Sequence, residues 1–367
     1  MARTLKSDKL LFLATLLLLC VSVVMVYSAS AVLAVDRYQR PPYFFLFRQV
    51  LWALLGAGLL GLAMRMNYQW LRRPMVIWTL LGVSVVALVA VFFAPAINGS
   101  RRWLGVGGFG VQPSELAKVA VIIFTAAMLE RRMDKIAHLT HTLAPIVFVT
   151  GLVGGLIVLE PDFGAAFTLL LIVGVMVYAA GLPYRYIMGT AIVMAPALFL
   201  VLASEEYRRR RLLAFLDPWA DPLGDGFQII QSQIAVGTGG LFGQGLMAGV
   251  QKLFYLPAPH TDFIYAVIAE ETGLLGTTGV LLCFGVIVWR GFRISVTAAD
   301  RFGAFLALGL TMMVAFQAFV NISVVLGLMP TKGISLPFVS SGGSSLLISL
   351  LGMGILLNVS QHAAPNE

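Results

Sequence analysis

The chain has 367 residues, of which 59% are hydrophobic and only 11% are charged, and its formal net charge at pH 7 is +8. A mean hydropathy of +0.91 excludes an ordinary soluble domain and indicates a polytopic membrane protein. The Lys and Arg residues lie between apolar segments and not on one soluble face, so the positive charge is a topology signal and argues against a nucleic-acid partner.

Ten apolar segments of membrane-spanning length follow one another along the chain. They cover about residues 10–35, 49–64, 75–94, 114–129, 142–159, 164–180, 186–203, 263–289, 302–328 and 343–359. We therefore expect an all-α fold with ten transmembrane helices, in which residues 1–367 form a single membrane domain. One long loop, about 204–261, precedes the eighth segment.

The basic residues are distributed unevenly between the two sides of the membrane. Ten crossings place both termini on one side, whose loops hold thirteen Lys and Arg residues, against six in the short loops opposite. The thirteen are Arg3, Lys6, Lys9, Arg65, Arg72, Arg73, Arg131, Arg132, Lys135, Arg185, Arg290, Arg293 and Arg301, and the six are Arg37, Arg40, Arg48, Arg101, Arg102 and Lys332. The positive-inside rule then predicts cytoplasmic termini and an extracytoplasmic loop 204–261.

The eighth segment begins with the sequence HTDFIYAVIAEE, His260 to Glu271. Asp262 stands where the loop meets the apolar helix, and partial burial there raises the pKa of a carboxyl toward that of a general base. The alternative is that Asp262 only caps the helix. Glu270 and Glu271 lie inside the apolar segment, where an ionised carboxylate is costly and faces a cavity, a partner or a reaction.

Several loops between the segments carry unusual polar residues. Arg101 and Arg102 follow the third segment. Glu115 and Lys118 lie three residues apart on one helix face and can pair, either as a structural ion pair or beside a substrate. The turn 159–164 holds two acids and has a solvated turn as its simplest interpretation.

The long loop opens with four arginines, Arg208 to Arg211, whose guanidinium groups suit either a diphosphate or lipid headgroups. Gln228 and Gln231 fall in a short amphipathic helix predicted at the membrane surface. The glycines of 237–245 resemble a phosphate-binding loop but lack its Lys-Ser/Thr ending, so close backbone packing is favoured.

The segment 329–345, before the tenth apolar segment, is rich in glycine and hydroxyl side chains and includes Lys332, Ser341 and Gly342. Irregular backbone at membrane depth is tolerated only where it lines protein or a water-filled cavity. Cys20 and Cys283 both fall inside apolar segments and predict neither a disulfide nor a metal site.

Taken together, these segments resemble the SEDS family (shape, elongation, division and sporulation), the FtsW/RodA group of bacterial membrane proteins. The matching pieces, spread over about residues 27 to 345, are YSAS, NGSRRWL, QPSELAK, LEPDFG, RRLLAFLDPW, GFQIIQSQIAVGTGGLFGQG, PHTDFIYAVIAEE and LMPTKGISLPFVSSGGSS. The pieces LDPWADPLGDGFQ, VQKLFYLPAPHTDFI and LMPTKG are closer to the division-type FtsW branch. Ser340-Ser341 departs from that branch, where a Tyr often precedes the glycine pair.

The resemblance implies a ten-helix peptidoglycan glycosyltransferase of the bacterial cytoplasmic membrane, acting in division or elongation. Its substrates would be lipid II and an undecaprenyl-diphosphate-linked glycan, and its partner a class B penicillin-binding transpeptidase. Asp262 would be the catalytic base. The substrate-binding candidates are Arg101, Arg102, Glu115, Lys118, Arg208, Arg210, Arg211, Gln228, Gln231, His260, Lys332, Ser341 and Gly342. No cofactor is assigned; a divalent cation, Mg²⁺ or Mn²⁺, is the alternative to arginine at the diphosphate.

Two other functional classes fit a polytopic chain with intramembrane charges. A lipid-precursor flippase or proton-coupled transporter would also carry Glu115, Lys118, Glu270 and Glu271 at membrane depth, although this sequence shows no two-halves symmetry. A non-catalytic membrane scaffold for a transpeptidase would keep its partner after loss of Asp262. A reconstituted assay that measures strand synthesis and lipid translocation would distinguish a transporter from a glycosyltransferase. Activity that survives the loss of Asp262, with the partner complex intact, would indicate a scaffold.

Overall fold

A computed structural model of the protein describes residues 7–95, 101–106, 109–133, 143–186, 188–189, 192, 196, 206–253, 255–331 and 333–362. In chain order its helices are α1 (Lys9–Asp36), α2 (Phe44–Arg65), α3 (Pro74–Val91), α4 (Pro113–Arg132), α5 (Ala144–Leu159), α6 (Phe163–Ala179), α7 (Glu206–Leu216), α8 (Phe227–Gly239), α9 (Ile264–Thr297), α10 (Arg301–Val325) and α11 (Gly343–Gln361). One antiparallel hairpin, β1 (Leu104–Val106) and β2 (Phe109–Val111), pairs Gly105 with Gly110. The predicted all-α membrane fold is confirmed.

Nine of the ten predicted apolar segments coincide with helices α1 to α6 and α9 to α11. Among the described residues, α1, α2, α3, α9, α10 and α11 are long and apolar enough to cross a membrane, and α5 and α6 are apolar but shorter. The predicted seventh segment, 186–203, lies for the most part outside the described residues. The two helices α7 and α8 lie in the long loop.

Helices α10 and α11 form the centre of the bundle, and most of their apolar residues are buried. Helix α11 packs against α2, and α10 packs against α9, α4 and α6. Helices α2, α3 and α5 expose long apolar faces, for example Leu54, Val86 and Phe148. Such faces match the hydrocarbon of a bilayer, so the burial pattern agrees with a multi-pass membrane protein.

Helix α9 is broken at Gly273, which has φ 65° and ψ −159°. The glycine-rich segment 237–245 lies against this break, and the backbone N–H of Leu274 donates to the Gly240 carbonyl at 2.9 Å. A β-carbon at Gly273 would come within 2.4 Å of the Gly243 nitrogen. Close backbone packing is therefore what these glycines provide, as the sequence indicated.

The two carboxylates inside α9 have partners within the chain. Lys252 forms a buried ion pair with Glu271 and donates to Ser28 Oγ of α1 at 2.8 Å. Glu270 accepts the backbone N–H of Val250 at 2.7 Å. A buried charge needs such partners. Both acids therefore anchor the segment before Asp262 to the start of α9, and no sequence pattern had singled out Lys252 as their partner.

Candidate active site

Asp262 lies in the turn that leads into α9, two residues before the first helical residue. Within the described residues its side chain makes no capping hydrogen bond, and Phe263 occupies the N-cap position. Its carboxylate lies beside the backbone of Gly333, where an added β-carbon would come within 2.9 Å of Oδ2. The geometry thus gives no support to the alternative in which Asp262 only caps the helix.

The surroundings of Asp262 keep it basic. Burial raises the pKa of this carboxyl to about 6. The charge of Arg102 opposes that rise, that of Asp162 adds to it, and that of Arg211 opposes it. At neutral pH the group is then ionised and still able to accept a proton, which is the requirement for a general base.

Arg102 belongs both to this site and to the turn 159–164. Its Nε donates to the Glu160 carbonyl at 3.2 Å, and its Nη2 donates to the Pro161 carbonyl at 2.6 Å. Arg101 instead donates to the Phe92 carbonyl at 2.6 Å from an exposed position. Of the two predicted arginines, Arg102 is therefore the one whose charge lowers the pKa of Asp262.

The solvated-turn interpretation of residues 159–164 is wrong, because both acids are buried, Glu160 with 1% and Asp162 with 5% of its surface exposed. Asp162 caps α6 by accepting the N–H of Ala165 at 3.2 Å, and it accepts Gln112 Nε2 at 2.9 Å. The carboxyl oxygens of Glu160 have no hydrogen-bond partner among the described residues. Burial, followed by the charge of Asp162, raises the pKa of Glu160 to about 8, against the opposing charge of Arg102.

Of the arginine run in the long loop, Arg211 is the residue that the structure brings to Asp262. Its Nη1 donates to the Thr331 carbonyl at 3.3 Å, which ties α7 to the segment before α11. Arg210 is exposed on the same helix. The side chain of Arg208 and the whole of Lys332 lie outside the described residues.

His260 is half-buried, and its ring lies 4.7 Å from that of Phe45 on α2. Burial, with a smaller contribution from the charge of Arg48, lowers the pKa of His260 to about 4, so its imidazole is neutral at neutral pH. The His260 carbonyl accepts the N–H of Ser341 at 2.9 Å. Ser341 and the following Gly342, which is the N-cap of α11, therefore lie beside the turn that carries Asp262.

The predicted pair of Glu115 and Lys118 is present, with 2.9 Å between Lys118 Nζ and Glu115 Oε1. Gln317 on α10 donates to both oxygens of Glu115, at 3.3 and 3.2 Å. All three side chains are almost completely buried. The pair thus joins α4 to α10, and Gln317 is a third member that the sequence did not reveal.

Two predicted glutamines have no observed link to Asp262. Gln228 and Gln231 are half-exposed on α8, which packs against α9. In the described part of the chain, no hydrogen bond joins either side chain to the elements around α8.

No group of three or more His, Cys, Asp or Glu side chains within the described ranges could hold a metal ion. The positive charges that act on Asp262 are those of Arg102 and Arg211.

Comparisons with known proteins show the family of the chain. The family model FTSW_RODA_SPOVE, described as "Cell cycle protein", matches residues 8–364. The chain is 45% identical over 358 residues to the probable peptidoglycan glycosyltransferase FtsW of Geobacter sp. (strain M18), which covers 96% of each chain. It is 42% identical over 361 residues to stage V sporulation protein E of Bacillus subtilis (strain 168), which covers 97% of each chain.

Two solved structures share the fold. One, described as "Structural coordination of polymerization and crosslinking by a peptidoglycan synthase complex", matches with a TM-score of 0.79 and 32% identity, over 96% of this chain and 97% of that one. The rod shape determining protein RodA of Thermus thermophilus matches with a TM-score of 0.72 and 28% identity, over 98% of each chain. The chain therefore belongs to the FtsW/RodA/SpoVE family of membrane proteins and lies closer to its division-type FtsW branch.

Proposed function

We propose that this protein is a peptidoglycan glycosyltransferase that polymerises lipid II into glycan strands, with Asp262 as its general base. The observation that carries the proposal is the placement of Asp262. It is a recessed carboxyl with a raised pKa, lies against the Gly333 backbone and faces the charges of Arg102 and Arg211. The name of the Geobacter relative, a probable peptidoglycan glycosyltransferase, supports the same activity.

The chemistry requires a base and a stabilised leaving group. The hydroxyl oxygen of the acceptor sugar attacks the anomeric carbon of the donor, and its proton passes to the carboxylate of Asp262. The bond between that carbon and the diphosphate oxygen breaks, and the polyprenyl diphosphate leaves as an anion. A single carboxylate suffices, since no covalent sugar intermediate is needed.

Two arginines are suited to the diphosphate. The charges of Arg102, in the segment after α3, and of Arg211, on α7, both act on Asp262, so a group that binds next to the base meets positive charge from two separate segments. Guanidinium groups match the spacing of phosphate oxygens and need not reorganise when charge develops on the leaving group. Both are already oriented by hydrogen bonds to backbone carbonyls.

The location follows from the charge distribution. We place both termini in the cytoplasm, the turn at Asp262 on the outer face of the bacterial cytoplasmic membrane, and the lipid tails of the substrates in the bilayer. The match to a peptidoglycan synthase complex that polymerises and crosslinks supports a partner that crosslinks the strands. A class B penicillin-binding transpeptidase has that chemistry.

The test is Asp262→Asn in purified full-length protein with fluorescent lipid II. The substitution keeps the shape of the side chain and removes the base, so polymerisation should fall at least about 100-fold, the lower range for loss of acid–base catalysis. Folded yield and melting temperature should change little. Asp225→Asn, the same change in the long loop, should stay fully active, as its carboxyl has no place in the site.

Near wild-type polymerisation by Asp262→Asn would remove the general-base assignment. A different outcome would identify a flippase: the wild-type protein moves lipid II across vesicle membranes, Asp262→Asn loses that movement, and strand synthesis is unaffected or never detected.

A further inference from the structure

Asn321 lies at the end of α10 that faces Asp262, and only 2% of its surface is exposed. Its Nδ2 donates to two backbone carbonyls, that of Asp262 at 2.8 Å and that of Ile334 at 2.7 Å. These carbonyls belong to two segments that are far apart in sequence. One amide group therefore joins the turn before α9 to the segment before α11.

The two joined segments are the ones between which the Asp262 carboxylate lies. Its Oδ2 is so close to Gly333, the neighbour of Ile334, that no β-carbon fits there without displacing it. We infer that Asn321 is a positioning residue for Asp262, which sets the separation of the two segments and hence the place of the carboxylate. The inference rests on the proposed role of Asp262 as the base.

Two further hydrogen bonds hold the same turn. The Ser341 N–H donates to the His260 carbonyl at 2.9 Å, and Ser340 Oγ donates to the Thr261 carbonyl at 2.6 Å. With Asn321, three consecutive carbonyls are each bound by a separate donor. Of these three donors, Asn321 is the one on a membrane-spanning helix, so it ties the turn to the rigid centre of the bundle.

Stability alone does not explain an asparagine at position 321. Its Oδ1 is buried and has no hydrogen-bond partner within the described part of the chain. A buried acceptor without a partner costs roughly 1–3 kcal/mol. Asn321 is thus destabilising through its Oδ1 while its Nδ2 donates two hydrogen bonds at the turn that carries the base. A local cost of this kind is expected where function constrains which residue occupies the position.

The chain contains a matched control at the opposite end of α11. Asn358 is also 2% exposed, and its Nδ2 donates to the Met64 carbonyl at 2.8 Å. Its Oδ1 accepts the N–H of Tyr68 at 3.0 Å. Truncating Asn358 removes hydrogen bonds of the same kind, between a buried amide and backbone, without touching the segments around Asp262.

The experiment compares Asn321→Ala, Asn321→Ser and Asn358→Ala in purified full-length protein with fluorescent lipid II. Asn321→Ala should lower kcat by up to about 100-fold, the cost of a catalytic group displaced by about 1 Å, with KM little changed. Asn321→Ser keeps one donor and should be intermediate. Asn358→Ala should lower the melting temperature at least as much as Asn321→Ala and leave kcat near that of the wild type.

Two outcomes would overturn the inference: wild-type kcat in the Asn321 variants, or an equal loss of kcat in Asn358→Ala, which would mean that destabilisation alone explains it. If Asn321→Ala does not fold, Asn321→Ser decides in the same way. Asp262→Asn run in parallel separates the two proposals. Its full activity would end the general-base assignment, whereas its inactivity beside an unimpaired Asn321→Ser would end only the positioning role.

Discussion

Gly333 and Asp262 come from separate segments, yet a β-carbon at position 333 would lie 2.9 Å from Asp262 Oδ2. That distance is shorter than normal van der Waals contact, and the side chain that must yield is the free end of Asp262. The absence of a side chain at 333 is therefore part of what places the carboxylate. The sequence marked this segment as glycine-rich backbone at membrane depth and did not indicate its neighbour.

Gly333→Ala should displace the base more than it destabilises the fold. We expect the rate of lipid II polymerisation to fall on the order of 10- to 100-fold, with a nearly unchanged melting temperature. Gly279→Ala on α9 is the control, since a β-carbon there has no neighbour within 4 Å. Equal rates in the two variants would show that Asp262 tolerates the methyl group and that its position is not set here.

The Glu115–Lys118 pair should matter through the fold. Lys118→Ala leaves a buried carboxylate without its cation, which costs about 3–5 kcal/mol where burial is complete. Folded yield, melting temperature and activity should fall together. The exchanged variant Glu115→Lys with Lys118→Glu should recover part of the yield, as the Gln317 amide can present its oxygen to the new lysine. No recovery in the exchanged variant would favour a direct role at the substrate.

Activity should depend on pH through Asp262. The base works when ionised, and burial raises its pKa to about 6. The rate should therefore rise as the pH increases through about 6 and level off above it. His260 adds no step near neutrality, because its pKa lies near 4. Rates between pH 5 and 8 check this, and a profile that is flat across pH 6 would contradict the assignment.

Glu160 should make stability fall with rising pH. Its pKa is raised from 4.5 to about 8, so between these values the folded state binds the proton more tightly than the unfolded chain. The stabilisation is present at low pH and is lost as the pH rises through that window. Glu160→Gln should melt higher than the wild type at pH 8.5 and similarly at pH 4.5, with exposed Asp36→Asn as a control. A lower melting temperature at pH 8.5 would show that the ionised carboxyl has a stabilising partner.

The placement of the Asp262 turn on the outer face of the cytoplasmic membrane can be tested by labelling single cysteines in a background with Cys20→Ser and Cys283→Ser. Leu223→Cys, at a position 88% exposed in the long loop, should react with an impermeant thiol reagent in intact cells. Gln69→Cys, in the exposed turn after α2, should react only after permeabilisation. The reverse pattern would invert the topology and remove the proposed access of Asp262 to lipid-linked sugar.

Much of this protein follows from local sequence. Apolar segments long enough to span a bilayer predicted the described helices, since helices satisfy the backbone hydrogen bonds within the hydrocarbon. Their ends agree to within three residues except at the start of α2, which differs by five, and at the end of α9, which differs by eight. Asp262 was singled out by its neighbours, because it stands beside His260 at the start of an apolar helix and within a segment that resembles the SEDS family. Glu115 and Lys118 were recognisable because three residues is nearly one helical turn.

Only the tertiary structure decided which distant groups meet. Lys252 with Glu271, Gln317 with Glu115, Asn321 with Asp262 and Ile334, and Gly333 with Asp262 are contacts between segments that no local pattern joins. The same holds for the buried turn of Glu160 and Asp162, which by its composition resembled a solvated one. Burial and electrostatic neighbours are properties of the packed bundle, whereas composition and spacing report only what each segment can do by itself.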